Sequence, residues 1–231
     1  MTRQHLGTPL SGALYLVKDW SEISASSILR FMSEKTIRIT QGAMDRALPI
    51  ALVPLWGEYP QVEARARLRY EGRHLHVRFM ATEPQLRRMV TDHNGRVWED
   101  SCVEIFLQRE GQDEYVNVEC SASTKMLVAR GTNREDRERW PIDFIDKIPC
   151  SVTILENSTA KSRWKAEIAL DLVALGLVGA DEPMGEVVLR GNLYKCGDKL
   201  KEPHYLAAFP IGTLKPDFHR PEFFVRFSFE D

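Results

Sequence analysis

Between Arg96 and Phe106 the chain reads RVWEDSCVEIF, a segment that sets a carboxylate in the middle of an apolar strand. Alternation puts Val103, Ile105 and Leu107 on one face, where they enter a core. Cys102, Glu104 and Phe106 share the other face. Trp98 stands just ahead, where a loop presents its indole at a sheet rim. The next strand, YVNVECS, repeats the arrangement, with Val116, Val118 and Cys120 opposed to Asn117, Glu119 and Ser121. If the two strands pair through the turn REGQDE, then Glu104, Asn117 and Glu119 form a polar ladder on one face. A ladder of this kind beside an exposed Trp suits a sugar. Pyranose C–H faces stack on aromatic rings, and hydroxyls bond to carboxylates and amides. On pattern alone the plainer reading is the solvated face of an ordinary sheet.

Two later segments add candidates. In PDFHRPEFF, two prolines bracket Phe218, His219 and Arg220 in a stiff loop. There Phe218 could equally plug the core, and Arg220 could pair with an acidic neighbour. In LRGNLYKCGD, Asn192, Tyr194 and Cys196 alternate with Leu193 and Lys195 before a Gly-Asp turn. His204 and His219 lack the spacing of a metal motif. The four cysteines, Cys102, Cys120, Cys150 and Cys196, contain no CxxC pair and are expected to fill core space as small apolar groups. Nucleophile-elbow, phosphate-loop, HExxH and dinucleotide patterns are absent. Glu104 and Glu119 could also be imagined as the two carboxylates of a glycosidase.

The elements that position these residues are mostly strands. VEARARLRY alternates Val62, Ala64, Ala66, Leu68 and Tyr70 with charged residues, then turns at Glu71-Gly72-Arg73 into HLHVRFM. KMLVA, CSVTIL, RWKAEIAL, EVVLRGNLY and FFVRFSF continue the series. The predicted fold is all-β: an antiparallel β-sandwich, jelly-roll-like, with a few short helices. Helices are expected in DWSEISASSILRFMSEK, in EPQLRRMV, and as one turn at DLVAL. Residues 1–44 are read as an N-terminal extension packing on a sandwich of residues 45–231. At 43% hydrophobic and 28% charged, the composition is that of a folded domain. A net charge of -2, from 31 basic and 33 acidic residues, argues against nucleic acid and against an anionic membrane surface. No signal peptide is visible, which places the chain as given in the cytoplasm, or outside the cell if a leader was removed.

With these segments in place, the chain resembles the family 9 carbohydrate-binding modules and their family-9-like, DOMON-like relatives. The likeness runs from LWGEYPQVEARARLRY through VWEDSCVEIF, EYVNVECSAS, GNLYKCGD and EPHYLAAFPI to PDFHRPEFF. It implies non-catalytic binding of a mono- or oligosaccharide, clamped between Trp98 and Phe218. By the same likeness Glu104, Glu119 and Lys195 meet hydroxyls; Asn117 joins them from the ladder, and His219 or Arg220 of the stiff loop closes the rim. The chain departs from the family where Phe218 stands in place of a frequent Trp, Glu119 in place of a basic residue and Lys195 in place of an amide. The resemblance also implies a structural calcium. No dense Asp/Asn loop stands out, so no cofactor is expected.

Three alternatives compete: a haem or redox domain on the same fold, with His204, His219 or Met126 as ligands; a glycoside hydrolase using Glu104 and Glu119; and a scaffold with a decayed site. The sugar and the oligomeric state are not readable from the sequence.

Overall fold

The structure, a computed structural model, describes residues 35–231. The helix read in DWSEISASSILRFMSEK therefore lies almost wholly outside the described residues. Among those described, thirteen strands carry the fold: β1 (Thr36–Thr40), β2 (Ile50–Pro54), β3 (Glu63–Glu71), β4 (His74–Glu83), β5 (Cys102–Arg109), β6 (Tyr115–Ser121), β7 (Met126–Gly131), β8 (Arg137–Arg139), β9 (Cys150–Asn157), β10 (Ser162–Asp171), β11 (Val188–Cys196), β12 (Tyr205–Ala207) and β13 (Val225–Glu230). A single α-helical turn, α1, spans Ile142–Ile145.

The strands form two layers. One runs β8-β7-β6-β5-β11 and continues from β11 through β13 to β1; the other runs β2-β3-β4-β10-β9. Strand β12 pairs with both β11 and β2 and joins the layers at one corner. Every pairing is antiparallel except β1 with β13. Residues 36–40, read from sequence as part of an extension, thus add an edge strand to the first sheet.

The second sheet follows the alternation read from sequence. Ala64, Ala66, Leu68 and Tyr70 of β3 and Leu75, Val77 and Phe79 of β4 are buried, and the intervening residues face outward. Gly72, with φ +56°, makes the turn between them, a conformation L residues seldom adopt. The first sheet is different. All seven residues of β6, and β5 up to Gln108, are buried on both faces. The inner face packs on the second sheet. The outer face is covered by the chain around Phe218–Phe224, where Phe106 contacts Tyr115, Tyr194, His219 and Phe224 at 4.9–6.4 Å between ring centroids. The face expected to be solvated is a second, aromatic core.

The segment EPQLRRMV is not helical. Its backbone donors have other partners. The Asp100 carboxylate accepts the N–H groups of Met89 and Val90 at 2.8 Å each, and Ser101 Oγ accepts that of Arg87 at 3.0 Å. These bonds hold the segment extended along the chain that leads into β5. DLVAL does make one turn, with Leu175 N–H bonded to the Asp171 carbonyl at 3.0 Å. No helix among the described residues is long and apolar enough to cross a membrane.

Candidate functional site

On the outer face of the first sheet, where the aromatic core ends, a cleft of about 330 Å³ opens. Its floor is strand register made visible. Glu104 of β5 sits directly opposite Glu119 of β6, and Cys102 directly opposite Cys196 of β11. Its walls are Trp98, from the 3₁₀ turn ahead of β5, Tyr205 of β12, and the Pro216–His219 loop. Arg134, Arg137 and Asp198 complete the lining.

The two carboxylates are almost fully buried, and burial raises both above the ordinary carboxylate value. For Glu104 the charge of Glu119 adds to the effect, and the Cys196 thiol, donating at 3.0 Å, opposes it. Glu119 is pushed up to about 7, with Arg137 and Arg134 pulling the other way. Asn117, one step along the ladder, donates to Glu119 Oε1 at 2.9 Å. Arg137 Nη1 lies 3.6 Å from the same oxygen. Glu119 Oε2, Asn117 Oδ1 and Arg137 Nη1 have no hydrogen-bond partner, so the floor carries unspent polar capacity.

The arginines arrive through a tight return after β7. A Cβ on Gly131 would lie 1.9 Å from the Asp136 carbonyl oxygen, so only glycine lets the chain close there. Asn133 Oδ1 caps the turn by accepting the Glu135 and Asp136 N–H groups at 2.9 Å each. Gly131 and Asn133 thereby set Arg134 and Arg137 at the mouth.

The aromatic walls are not the simple clamp read from sequence. Phe218 is 7% exposed and stacks on Tyr194 at 4.2 Å and 7°. Trp56 and Tyr205 pack around it at 5.8 and 6.2 Å. Trp56, itself at φ +59°, donates its indole N–H to the Thr213 carbonyl at 2.6 Å and ties down the loop. Phe218 borders the cleft while most of its surface is spent on packing. Trp98 and Tyr205 are the half-buried rings. Arg96 lies 5.8 Å from the Trp98 ring centre, and burial with the neighbouring Asp198 raises the Tyr205 phenol to about 12. His219 lines the cleft with Nδ1 2.7 Å from the Tyr115 hydroxyl. Burial, reinforced by Arg137 and Arg134, lowers it to about 2, so the ring is neutral.

Lys195 is a correction. It pairs with Val103 in the β5–β11 register and so points to the inner face, away from the cleft. There its ammonium donates to Glu83 at 2.9 Å and to the Cys196 carbonyl at 2.7 Å, and lies 2.8 Å from His204 Nε2. Trp164 donates to the other Glu83 oxygen at 2.6 Å. Carrying Lys195 over by resemblance overrode the alternation that Leu193 and Tyr194 already displayed. Arg220 is likewise not at the cleft; its guanidinium is bonded to Glu222 at 2.7 Å. Asn117 stays on the cleft side of β6 but acts from behind Glu119. Tyr205, Asp198, Arg134 and Arg137 were missed. They come from a three-residue strand, turns and a charged hairpin that carry no periodic signal.

The haem reading fails on geometry. His219 lies on the outer face. Met126 faces inward opposite Cys120, away from His219, and His204 is already engaged by Lys195 and Glu83. As for calcium, the group of three His, Cys, Asp or Glu side chains close enough to share a metal, among the described residues, is Cys102, Glu104 and Cys196. Two thiols are poor calcium donors.

The solved structures share this architecture. A candidate carbohydrate-binding protein from Bacteroides uniformis matches at 28% identity and a TM-score of 0.76, over 85% of this chain and 99% of its own. Family 9 modules from Caldicellulosiruptor kristjanssonii, in complex with glucose and with cellotriose, match at 13% and 14% identity. Each has a TM-score of 0.56 and covers 85% of this chain and 96% or 94% of its own. No curated protein matches. The family model for carbohydrate-binding family 9 matches residues 43–229, a stretch that includes both carboxylates, the cleft walls and all but the first of the described strands. The chain is therefore a member of carbohydrate-binding family 9.

Proposed function

We propose that the cleft binds a mono- or short oligosaccharide without transforming it. Trp98 and Tyr205 present faces to the sugar ring, and Glu119 and Glu104 accept its hydroxyls. Arg137, Arg134 and Asp198 act at the mouth, and neutral His219 at the wall. The observation that carries this reading is the Glu104–Glu119 pair. Two buried carboxylates with an unpartnered oxygen, next to half-buried aromatic rings, are what a polyol with an apolar face satisfies. The volume is near the lower end of the about 300–1,000 Å³ common for ligand pockets, which favours one or two rings over a long chain. The sugar complexes of the Caldicellulosiruptor modules support the ligand class.

Hydrolysis is disfavoured by the same register. A glycosidase sets its acid and its nucleophile or base on either side of the scissile bond. Glu104 and Glu119 are directly opposed neighbours in one sheet and reach a bound sugar from the same side.

Titration calorimetry against glucose, xylose and their short β-linked oligomers tests the reading. Trp98→Ala and Tyr205→Ala are each expected to weaken binding about fivefold to tenfold, the loss of about 1 kcal/mol of ring stacking. Unchanged affinity in both variants would sink the assignment, and release of nitrophenol from aryl glycosides would overturn the non-catalytic part.

A further inference from the structure

At the floor of the cleft and just beneath it lies an arrangement of which sugar binding uses only Glu104. Cys102 and Cys196 face one another across β5 and β11, and Glu104 follows Cys102 two residues along the same face. One donor atom from each of the three lies within 4.8 Å of both others, and all three residues are buried. The Cys196 thiol lies 3.0 Å from Glu104 Oε1, a weak donor for a buried carboxylate.

From this geometry we infer that Cys102, Cys196 and Glu104 form a site for a thiophilic divalent cation of the zinc or cadmium type, its fourth position open to the cleft. Zinc with bonds of about 2.3 Å to sulfur and about 2.0 Å to oxygen needs tetrahedral ligand separations of roughly 3.3–3.8 Å. The observed spacings, all within 4.8 Å, already bring the three donors near that range. Cys196 and Glu104 line the cleft, which supplies the entry path. Two thiols and one carboxylate select a borderline-soft metal over calcium or magnesium.

The surrounding charge is mixed. Glu119 and Asp198 favour a cation, and Arg134 and Arg137 at the mouth oppose it. Lys195 acts from beneath the sheet, where it is already neutralised by Glu83. Burial raises the Cys102 thiol to about 12, and its hydrogen bond with Cys102, followed by burial, raises Cys196 well above the ordinary value. Both sulfurs are thus protonated at neutral pH. Each S–H bond must break as its sulfur bonds to the metal, Glu104 gives up any proton its raised carboxyl holds, and the protons pass to buffer. No electron is transferred. The site shares Glu104 with the proposed sugar site, but its test is read without sugar and does not depend on whether the cleft takes one.

The test uses the reduced full chain freed of metal with a chelator. Cadmium should produce an ultraviolet thiolate-to-cadmium band that saturates at one ion per chain. Calorimetry in buffers of different ionisation heat should count at least two protons released per ion, one from each thiol, with any held by Glu104 in addition. Cys102→Ser and Cys196→Ser should abolish the band, and Glu104→Gln should weaken binding at least about tenfold. The double variant C120S/C150S should keep it, since those two sulfurs form a separate pair 3.4 Å apart. Zinc-edge X-ray absorption of the unaltered protein reads the ligands directly and needs no variant to fold. Two sulfur neighbours at about 2.3 Å with oxygen near 2.0 Å support the site. A shell of nitrogen and oxygen alone overturns it, as does a band that survives in C102S/C196S.

Discussion

Phe218 shows how a residue can stand at a predicted site and still work differently. Its ring is stacked on Tyr194 and enclosed by Trp56 and Tyr205, so its first contribution is to packing. Phe218→Ala should lower unfolding stability by about 3–5 kcal/mol, the cost of emptying an aromatic core position. Denaturant titration measures it. A variant that stays as stable as its parent but loses sugar would return Phe218 to the role of a free clamp. Trp98, Glu104 and Glu119 were legible because they belong to strands, or touch one, and period 2 assigns a face. Tyr205, Asp198 and Arg137 were not. Their positions depend on where β12, the turn after β11 and the β7–β8 hairpin meet the sheet, and nothing in GDK, EPHYLAAF or TNREDRERW states that they share a cleft with Glu119.

Strand β11 shows the same contrast one level up. Its outward residues, Asn192, Tyr194 and Cys196, support the aromatic core and cleft, and its inward Leu193 and Lys195 meet the second sheet. The Lys195–Glu83–His204–Trp164 cluster ties β11 to β4 and β10 directly behind the cleft floor, with the ammonium donating to Glu83 and the Cys196 carbonyl. Lys195→Met removes the cation and leaves Glu83 charged and buried. Breaking one side of such a pair costs about 3–5 kcal/mol, whereas replacing both partners by apolar groups is often close to neutral. K195M should therefore unfold far more readily than its parent, and K195M/E83L should recover much of the loss. Equal stability of the two variants would show that the cluster is not coupled. Alternation makes the inward position of Lys195 readable, but its partner lies 112 residues away, beyond any local pattern.

Across the whole molecule, buried ionisable groups on the two faces of the first sheet pull stability in opposite directions with pH. Burial works against the charge of Glu83, but Lys195 and His204 outweigh it and hold the carboxyl at about 2, below the ordinary 4.5. Its stabilisation is present above about pH 4.5 and is lost as pH falls toward 2. Glu119 is displaced the other way, to about 7. The folded chain keeps a proton that the unfolded chain releases above 4.5, so this group lowers stability as pH rises from 4.5 to 7. His219, neutral in the fold, opposes that trend. The unfolded ring takes up a proton below about 6.5, so stability is lost as pH falls below that value, and His204, also lowered by burial, acts in the same sense. Between pH 4.5 and 6.5 the parent should show a shallow profile in which these slopes largely offset one another. Glu119→Gln removes its own falling contribution and also lessens that of Glu104, which loses a neighbouring charge. Its stability should gain on the parent by about 1.4 kcal/mol per pH unit through that window, and hold the gain above pH 7. Urea titrations at half-unit intervals from pH 3 to 8 measure the difference directly. A gap between E119Q and parent that does not widen with pH would mean that Glu119 is already ionised in the fold, and the cleft floor would then be a charged surface at every pH tested.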